Sequence, residues 1–339
     1  MNDMKEQWNE KINAFAHETA ELNIENGKMG VCLYFFMLAG SLKNEQYQQW
    51  AEKILDDIYE QLKKDLYVKS IPNLVQVGIG IDFLLNQKYV EGNINQVLEE
   101  MDVALFQKMT SSTNPQILTY RTPGFLYILY YLYLRLRKQK PNSNNRFIME
   151  ELTIKAFNDV YASLNSTFYD EPTLFDLNYR LPPFLYVLSK IYSLRFYNYR
   201  INEVVKEIAG LIQSRVPVLH ANRLYLLWGL VNLKQASDFT FWDEQLDLIS
   251  QNISVQKIIE KELRNKQISI KYGVAGIYLL LENLEKTIYK ISYNSEILLK
   301  RIHNSDVWKN DSRQPLSFVY GMSGLLWVEH LINQKVNIL

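Results

Sequence analysis

The sequence predicts an all-α protein folded as an α/α toroid, in which seven inner helices alternate with seven outer helices. Three observations lead to this prediction. A motif built around glycine or another turn-forming residue recurs seven times, at intervals of about 49 residues. Each copy opens a strongly apolar segment, and amphipathic segments lie between the copies. No segment shows the sustained alternation and turn signals of β-hairpins.

The predicted inner helices are the apolar segments that follow the motif. They read GKMGVCLYFF, VGIGIDFLL, RTPGFLYIL, RLPPFLYVL, ANRLYLLWG, YGVAGIYLLL and YGMSGLLWV, with anchors at Gly30, Gly80, Gly124, Pro183, Arg223, Gly276 and Gly324. Positions one, four and eight past the anchors are almost all apolar, which is the spacing of one helix face. Their other faces are also largely apolar, so we expect these helices to be enclosed on most sides.

The predicted outer helices mix charged residues with regularly spaced apolar ones. One opens the chain, two read EQYQQWAEKILDDIYEQLKKDL and INQVLEEMDVALFQKM, and four lie at residues 146–165, 201–214, 243–264 and 294–302. A single helical pair cannot bury its apolar face, so stacked pairs must share a core. An open solenoid and a closed ring both satisfy this, and apolar surface on most sides favours the ring. We expect one domain over residues 1–339.

The composition excludes several classes of protein. With 47% hydrophobic and 22% charged residues, the chain is globular. Its 37 basic and 37 acidic residues balance, which removes the field that drives non-specific nucleic-acid binding. The single cysteine, Cys32, excludes an internal disulfide and a zinc site built on several thiolates. The N-terminus has no signal-peptide core and no apolar run reaches ~20 residues, so we expect a cytoplasmic protein without a membrane span.

The starts of the inner helices form the candidate binding site. Glycines cluster there, and helix N-termini present unsatisfied N–H groups with a partial positive charge. We expect all seven starts on one face of the ring, around a mouth. The candidate ligand-binding residues are Lys28, Asp82, Tyr120, Arg121, Tyr179, Arg180, His220, Arg223, Lys271, Tyr272 and Tyr320. Either these side chains pack and bond within the turns, or they form a pocket for an acidic or phosphorylated group or an extended peptide.

The turn motifs resemble those of the lanthionine synthetase C-like family of peptide cyclases. The resemblance rests on NGKMGVCLYFF, YGVAGIYLLL and YGMSGLLWV and on the seven repeats, and it covers nearly the whole chain. It implies a toroid with one central zinc ion, which activates a substrate cysteine for addition to a dehydrated serine or threonine. The product of that reaction is a thioether ring in a peptide.

The zinc ligands that the resemblance implies are missing from this sequence. The family holds zinc through a cysteine at the fifth inner turn and a Cys-His pair just before the sixth GxxG. Here the sixth turn reads IKYGVAG, with Lys271 and Tyr272 in place of the pair, and the fifth reads VPVLHANR, with His220. A lone histidine at a helix start is more often a cap or packing residue than a ligand. We therefore predict no metal site and no cofactor, and catalysis stays open.

These observations predict a zinc-free relative that acts in the maturation of a ribosomally made, lanthipeptide-type peptide. It would bind the precursor peptide, or a peptide-modifying enzyme of the dehydratase kind. The alternative is a glycosidase on a helical toroid, which needs two facing carboxylates. Asp82, within GIGIDFLL, is one such carboxylate, although it is also placed to pair with an arginine. A ring that serves only as an interaction platform is a third hypothesis.

Overall fold

Helices dominate the computed structural model of the chain, which describes residues 2–66, 70–110, 118–122, 124–213, 216–237, 242–309 and 314–338. Seven helices are of the apolar type: α2 (Lys28–Leu42), α4 (Ile71–Asn86), α6 (Phe125–Arg137), α8 (Leu181–Ser193), α10 (His220–Ala236), α12 (Val274–Glu285) and α14 (Met322–Ile338). The amphipathic helices of nine or more residues are α1 (Asn2–Glu18), α3 (Glu45–Asp65), α5 (Glu99–Thr110), α7 (Asn144–Ser163), α9 (Asn198–Gln213), α11 (Asp243–Gln251) and α13 (Ser295–His303). No strand occurs in the described ranges.

The described helices confirm the all-α prediction. Their burial explains why apolar and amphipathic helices alternate. In α2, buried residues lie on every side of the helix, from Lys28 to Ala39. In α3, the buried residues recur every three or four positions and form a single face: Tyr47, Ala51, Ile54, Ile58 and Leu62. None of the described helices is long and apolar enough to span a lipid bilayer.

The second apolar helix starts earlier than the repeat predicts. The motif places its start near Gly80, but α4 begins at Ile71, so Gly78 and Gly80 lie inside the helix. Close packing explains the two glycines. A Cβ at Gly78 would lie 2.3 Å from a ring carbon of Tyr131, and a Cβ at Gly80 would lie 2.4 Å from Met29 Sδ. Glycine at these positions lets side chains of neighbouring helices approach the α4 backbone.

The contacts divide the chain into two compact units, Met1–Leu164 with Pro315–Trp327 and Asn165–Gln314 with Val328–Leu339. In the first unit, α2 packs against α1, α3 and α4, and α6 packs against α4 and α7. The turn before α14 also belongs to this unit and meets the turn before α2, where Val319 N donates to Glu25 O at 3.3 Å. The first and seventh turns are therefore neighbours within this unit.

In the second unit, α10 is the central helix and packs against α8, α11 and α12. Helix α8 also contacts α9, and α12 contacts α13. Within each unit, α2, α4, α8 and α10 thus lie beside the amphipathic helix that follows them and beside the next apolar helix. That residues 1–339 form one domain stays a prediction.

Candidate functional site

Three of the turns before the apolar helices share one backbone geometry. In each, the N–H of the first helical residue donates to the carbonyl oxygen seven residues earlier, and the residue before the donor is glycine. A Cβ on that glycine would lie only 2.1–2.4 Å from the same carbonyl oxygen, so a larger residue does not fit. The bonds join Lys28 to Glu21, Val274 to Gln267 and Met322 to Pro315, with N···O distances of 2.9, 3.1 and 2.9 Å. These are the first, sixth and seventh turns, which carry the family resemblance.

Lys271, in the sixth turn, ties this turn to the fourth. Its side chain is 3% exposed, and its Nζ donates to Asn178 Oδ1 at 2.5 Å and lies 3.9 Å from Asp176 Oδ1. The main chain adds a second link, because Leu177 N donates to the carbonyl oxygen of Lys271 at 3.1 Å. The lysine is therefore an internal partner of the fourth turn, next to the start of α8.

The groups at this position do not fit the zinc ion that the resemblance implies. A protonated amine has no lone pair for a metal, and its charge repels a cation. Tyr272 is 37% exposed, and its backbone N–H donates to Ser269 Oγ at 3.4 Å. Across the described ranges, no group of three or more histidine, cysteine, aspartate or glutamate side chains is arranged to hold a metal ion.

His220 and Arg223, in the fifth turn, both bond to the carbonyl oxygen of Asn252. His220 Nδ1 and an Arg223 guanidinium nitrogen each lie 3.0 Å from that oxygen. Arg223 Nε also donates to Pro217 O at 2.6 Å. Both side chains thus bond to backbone carbonyls of nearby loops. This agrees with the interpretation that the candidate residues pack and bond within the turns.

Glu262 caps the start of α10, a role that no motif in the sequence indicates. His220 N donates to Glu262 Oε1 at 2.8 Å, and Ala221 N donates to Glu262 Oε2 at 2.9 Å. A carboxylate at this end of a helix satisfies orphan N–H groups and offsets the positive end of the helix dipole. The positive end of α10 is thus already neutralised by the chain itself.

In the third turn, Arg121 lies on the ring of its neighbour Tyr120. Its guanidinium is 5.4 Å from the ring centre, and its Nε donates to the Tyr120 hydroxyl at 2.9 Å. Tyr120 is buried and its backbone N–H donates to Ser163 Oγ at 2.8 Å, whereas Arg121 is exposed. Aromatic and basic residues of this turn therefore act as a pair, with the guanidinium facing solvent.

The remaining candidate residues differ in exposure. Lys28, the first residue of α2, is buried, whereas Tyr320, in the seventh turn, is half-buried. In the fourth turn, Arg180 is exposed, and Tyr179 is buried with its ring centre 6.3 Å from that of Tyr225.

Asp82 lies in the second half of α4 and not at a turn. Its Oδ2 accepts from Asn86 Nδ2 at 2.6 Å and lies 3.8 Å from an Arg137 guanidinium nitrogen, while its Oδ1 is buried without a partner among the described residues. Burial raises the pKa of this carboxyl, and Arg137, Lys138 and Arg135 oppose the rise. Because α4 starts eleven residues before it, Asp82 does not lie at the start of that helix, and its place at the mouth stays a prediction. None of these contacts is the second carboxylate that a glycosidase needs.

The candidate residues are shared between the two units. The first unit holds Lys28, Asp82, Tyr120, Arg121 and Tyr320, and the second holds Tyr179, Arg180, His220, Arg223, Lys271 and Tyr272. Within the second unit, the structure joins the fourth turn to the sixth through Lys271. A single mouth formed by all of these residues stays a prediction.

Comparison with known proteins decides the fold. The chain is similar to the solved structure of nisin cyclase, with a TM-score of 0.69 and 13% sequence identity, over 99% of this chain and 96% of that one. The chain has the α/α-toroid fold. No protein-family model matches the sequence, and no curated protein matches it either. At this identity, the likeness to nisin cyclase shows the fold alone.

Proposed function

We propose that this chain is a zinc-free relative of the lanthionine synthetase C-like proteins, and that it acts in the cytoplasm in the maturation of a ribosomally made, lanthipeptide-type peptide. Its role is to bind the precursor peptide or a dehydratase-type partner enzyme. The observation that carries the proposal is the Lys271–Asn178 bond, because a buried ammonium stands where the resembling family has a Cys-His pair.

The chemistry of thioether formation explains why binding is proposed rather than cyclisation. A cysteine thiol with a pKa of about 8.5 is mostly protonated at neutral pH, and a bound metal is the usual means of generating the thiolate. Neither Lys271 nor His220 supplies that function, since the first is bonded to Asn178 and the second to a backbone carbonyl. We therefore propose that the chain is a pseudoenzyme, which keeps the toroid fold and binds a peptide or a partner enzyme without forming the thioether.

Two exposed arginines are the groups that we propose for peptide binding. Arg121 and Arg180 lie at the third and fourth turns with exposed side chains. Arg223 and Lys271 bond to loop groups within the second unit. The exposed guanidinium of Arg121, which lies against the ring of Tyr120, suits a carboxylate of an acidic peptide.

Calorimetric titration of the full chain with the precursor peptide encoded beside its gene tests the proposal. We expect saturable binding that a metal chelator does not change, and an increase in Kd of about fivefold in the Arg121→Ala and Arg180→Ala variants. Lys64→Ala is the matched control, because Lys64 is an exposed cation at the end of α3. Loss of binding in the chelator, or no binding of any such peptide, overturns the proposal.

A further inference from the structure

The first unit has a basic surface where α2, α4 and α6 end. Lys138, just after α6, donates from Nζ to Asn86 Oδ1 at the end of α4, at 2.8 Å. Tyr89, in the loop after α4, lies beside α2, because a Cβ at Gly40 would be only 2.9 Å from its ring. The three helix ends and the loops after them are therefore neighbours. We call this surface, residues 42–45, 86–98 and 137–148, the basic end.

Basic side chains outnumber acidic ones at the basic end. Its ranges contain six basic residues and two acidic ones: Lys43, Lys88, Arg137, Lys138, Lys140 and Arg146, against Glu45 and Glu91. Arg137 and Arg146 have carboxylate neighbours, Asp82 at 3.8 Å and Glu150 at 2.8 Å. Lys43, Lys88 and Lys140 are exposed and form no ion pair with the residues that the structure describes. The chain as a whole is neutral, so this positive charge is local.

Two of these lysines have a backbone conformation that glycine adopts more easily. Lys43 follows α2 with a φ of 51°, and Lys88 follows α4 with a φ of 60°. Glycine or asparagine is the usual residue in this left-handed conformation after a helix. A cation does offset the negative end of the helix dipole, but at an exposed site that gain is smaller than the cost of the conformation. The helix dipole alone therefore does not account for a lysine at both places.

Exposed apolar side chains lie among the cations of the basic end. They are Leu42, Val97, Phe147 and Ile148, and Phe147 is the most exposed of the four, at 64%. Leu42 ends α2, and Phe147 and Ile148 lie in the first turn of α7. Neutralising a helix dipole requires none of these side chains. Exposed apolar groups that cluster in this way mark a surface that binds a partner.

The combination of lysines and protruding apolar side chains matches the surface of an anionic lipid bilayer. Phospholipid head groups supply the negative charge, and the acyl boundary lies about 5–10 Å deeper, within reach of a side chain such as Phe147. A nucleic-acid backbone would pair with the lysines but leave the apolar side chains in water. An acidic protein would need a separate apolar contact for each of the three loops, whereas fluid lipids adapt to all of them.

We propose that the basic end binds the surface of a membrane that contains anionic phospholipids. The lysines contact the head groups, and Phe147 inserts between them. Such binding is peripheral and needs no helix that spans the bilayer. The proposal goes beyond the peptide-binding role and does not depend on it. The candidate residues Lys28 and Arg121 precede α2 and α6, so the basic end lies at the opposite ends of these helices.

Cosedimentation of the full chain with vesicles tests the proposal. One vesicle preparation is phosphatidylcholine alone, and the other contains about 30% phosphatidylglycerol. We expect saturable binding to the anionic vesicles only, and loss of most of it at about 0.5 M salt, where charges are strongly screened. Polyglutamate and duplex DNA are titrated separately, and we expect both to bind at least about tenfold more weakly than the anionic vesicles.

Charge variants and apolar variants have matched controls within the same unit. Lys88→Gln and Lys140→Gln each remove one charge, and we expect each to weaken vesicle binding about fivefold. Lys64→Gln makes the same change at the far end of α3 and should leave binding unchanged. Phe147→Ala should also weaken binding about fivefold. Its control is Phe106→Ala, at an exposed position of α5 outside the basic end.

The proposal is overturned by equal binding to neutral and anionic vesicles, by no binding to either, or by equal losses in the control variants. Binding of polyglutamate or duplex DNA as tight as that of the vesicles would identify a general anion-binding surface and would also overturn it. The vesicle experiment contains no precursor peptide, so its failure leaves the proposed function unaffected.

Discussion

Lys271 Nζ lies 2.5 Å from Asn178 Oδ1, and this bond joins two turns that are 93 residues apart in the sequence. Asp176 lies near the same ammonium, at 3.9 Å. Lys271 therefore does more than replace a zinc ligand of the resembling family. Its buried charge holds the fourth and sixth turns together. We expect this link to contribute to stability in the way that a metal contributes elsewhere.

Lys271→Met tests the structural role of this link. The substitution keeps much of the side-chain volume but leaves Asn178 and Asp176 without their cation, and we expect a loss of about 3 kcal/mol in the free energy of unfolding. Urea denaturation measures it. Lys53→Met, at an exposed position of α3, is the control. A difference between the two variants below about 0.5 kcal/mol would show that the link is not needed.

Asp102 and Arg135 form a buried ion pair whose removal should be costly. Arg135 Nε lies 3.0 and 2.9 Å from the two Asp102 oxygens and a second guanidinium nitrogen lies 2.7 Å from Oδ2, while the Tyr131 hydroxyl donates to Oδ1 at 2.8 Å. Because Asp102→Ala leaves Arg135 charged and buried, we expect a loss of about 3–5 kcal/mol in the free energy of unfolding. Glu99→Ala, exposed on the same helix, should cost far less, and equal losses would contradict the prediction.

Glu262→Ala should destabilise the start of α10. The backbone N–H groups of His220 and Ala221, which donate to this carboxylate, would lose their acceptor. We expect the free energy of unfolding to fall by about 1–2 kcal/mol. Thermal unfolding followed by circular dichroism measures the change. Glu260→Ala is the matched control, since Glu260 is exposed two residues earlier. If both variants had the same melting temperature as the unaltered chain, the Glu262 cap would not contribute to stability.

Lys335 should make stability depend on pH in the acid range. Its Nζ donates to Glu282 Oε1 at 2.6 Å, to Glu285 and to the Tyr293 hydroxyl at 2.9 Å. Burial works against ionisation of Glu282, but the bonds from Lys335 and Tyr293 outweigh it and hold its pKa below the usual value. A carboxyl with a lowered pKa stabilises the fold above its unfolded pKa of about 4.3, and this stability is lost as the pH falls through the folded pKa.

We therefore expect the free energy of unfolding to fall as the pH is lowered below about 4.3. Lys335→Met should flatten this dependence, and urea denaturation at several pH values measures it. If the free energy of unfolding depended on pH in the same way in the variant, the contact with Lys335 would not lower the pKa of the Glu282 carboxyl.

The helical toroid could be predicted because its signals are local. The buried face of α3 recurs every three or four residues, and the glycines of the first, sixth and seventh turns mark helix starts. Gly78 and Gly80 misled the same reasoning. A glycine that makes room for Tyr131 or Met29 looks, in one sequence, like a glycine that makes a turn.

The bonding partners of the candidate residues could not be predicted, because they are distant in the sequence. Glu262 lies 42 residues from His220, whose backbone N–H donates to it, and Asn178 lies 93 residues from Lys271. The apolar stretch around Asp82 indicates a buried carboxylate, and Asp82 is 5% exposed, but its cationic neighbour Arg137 lies at the end of α6 rather than at a turn. Such pairings are set by the stacking of repeats and not by the composition of any segment.

The zinc content of the purified full chain tests the central claim most directly. The protein would be produced in zinc-supplemented medium, purified without a chelator and measured by elemental analysis. Because an ammonium occupies the ligand position, we predict less than about 0.1 zinc per chain. One zinc per chain, retained through dialysis, would contradict the account.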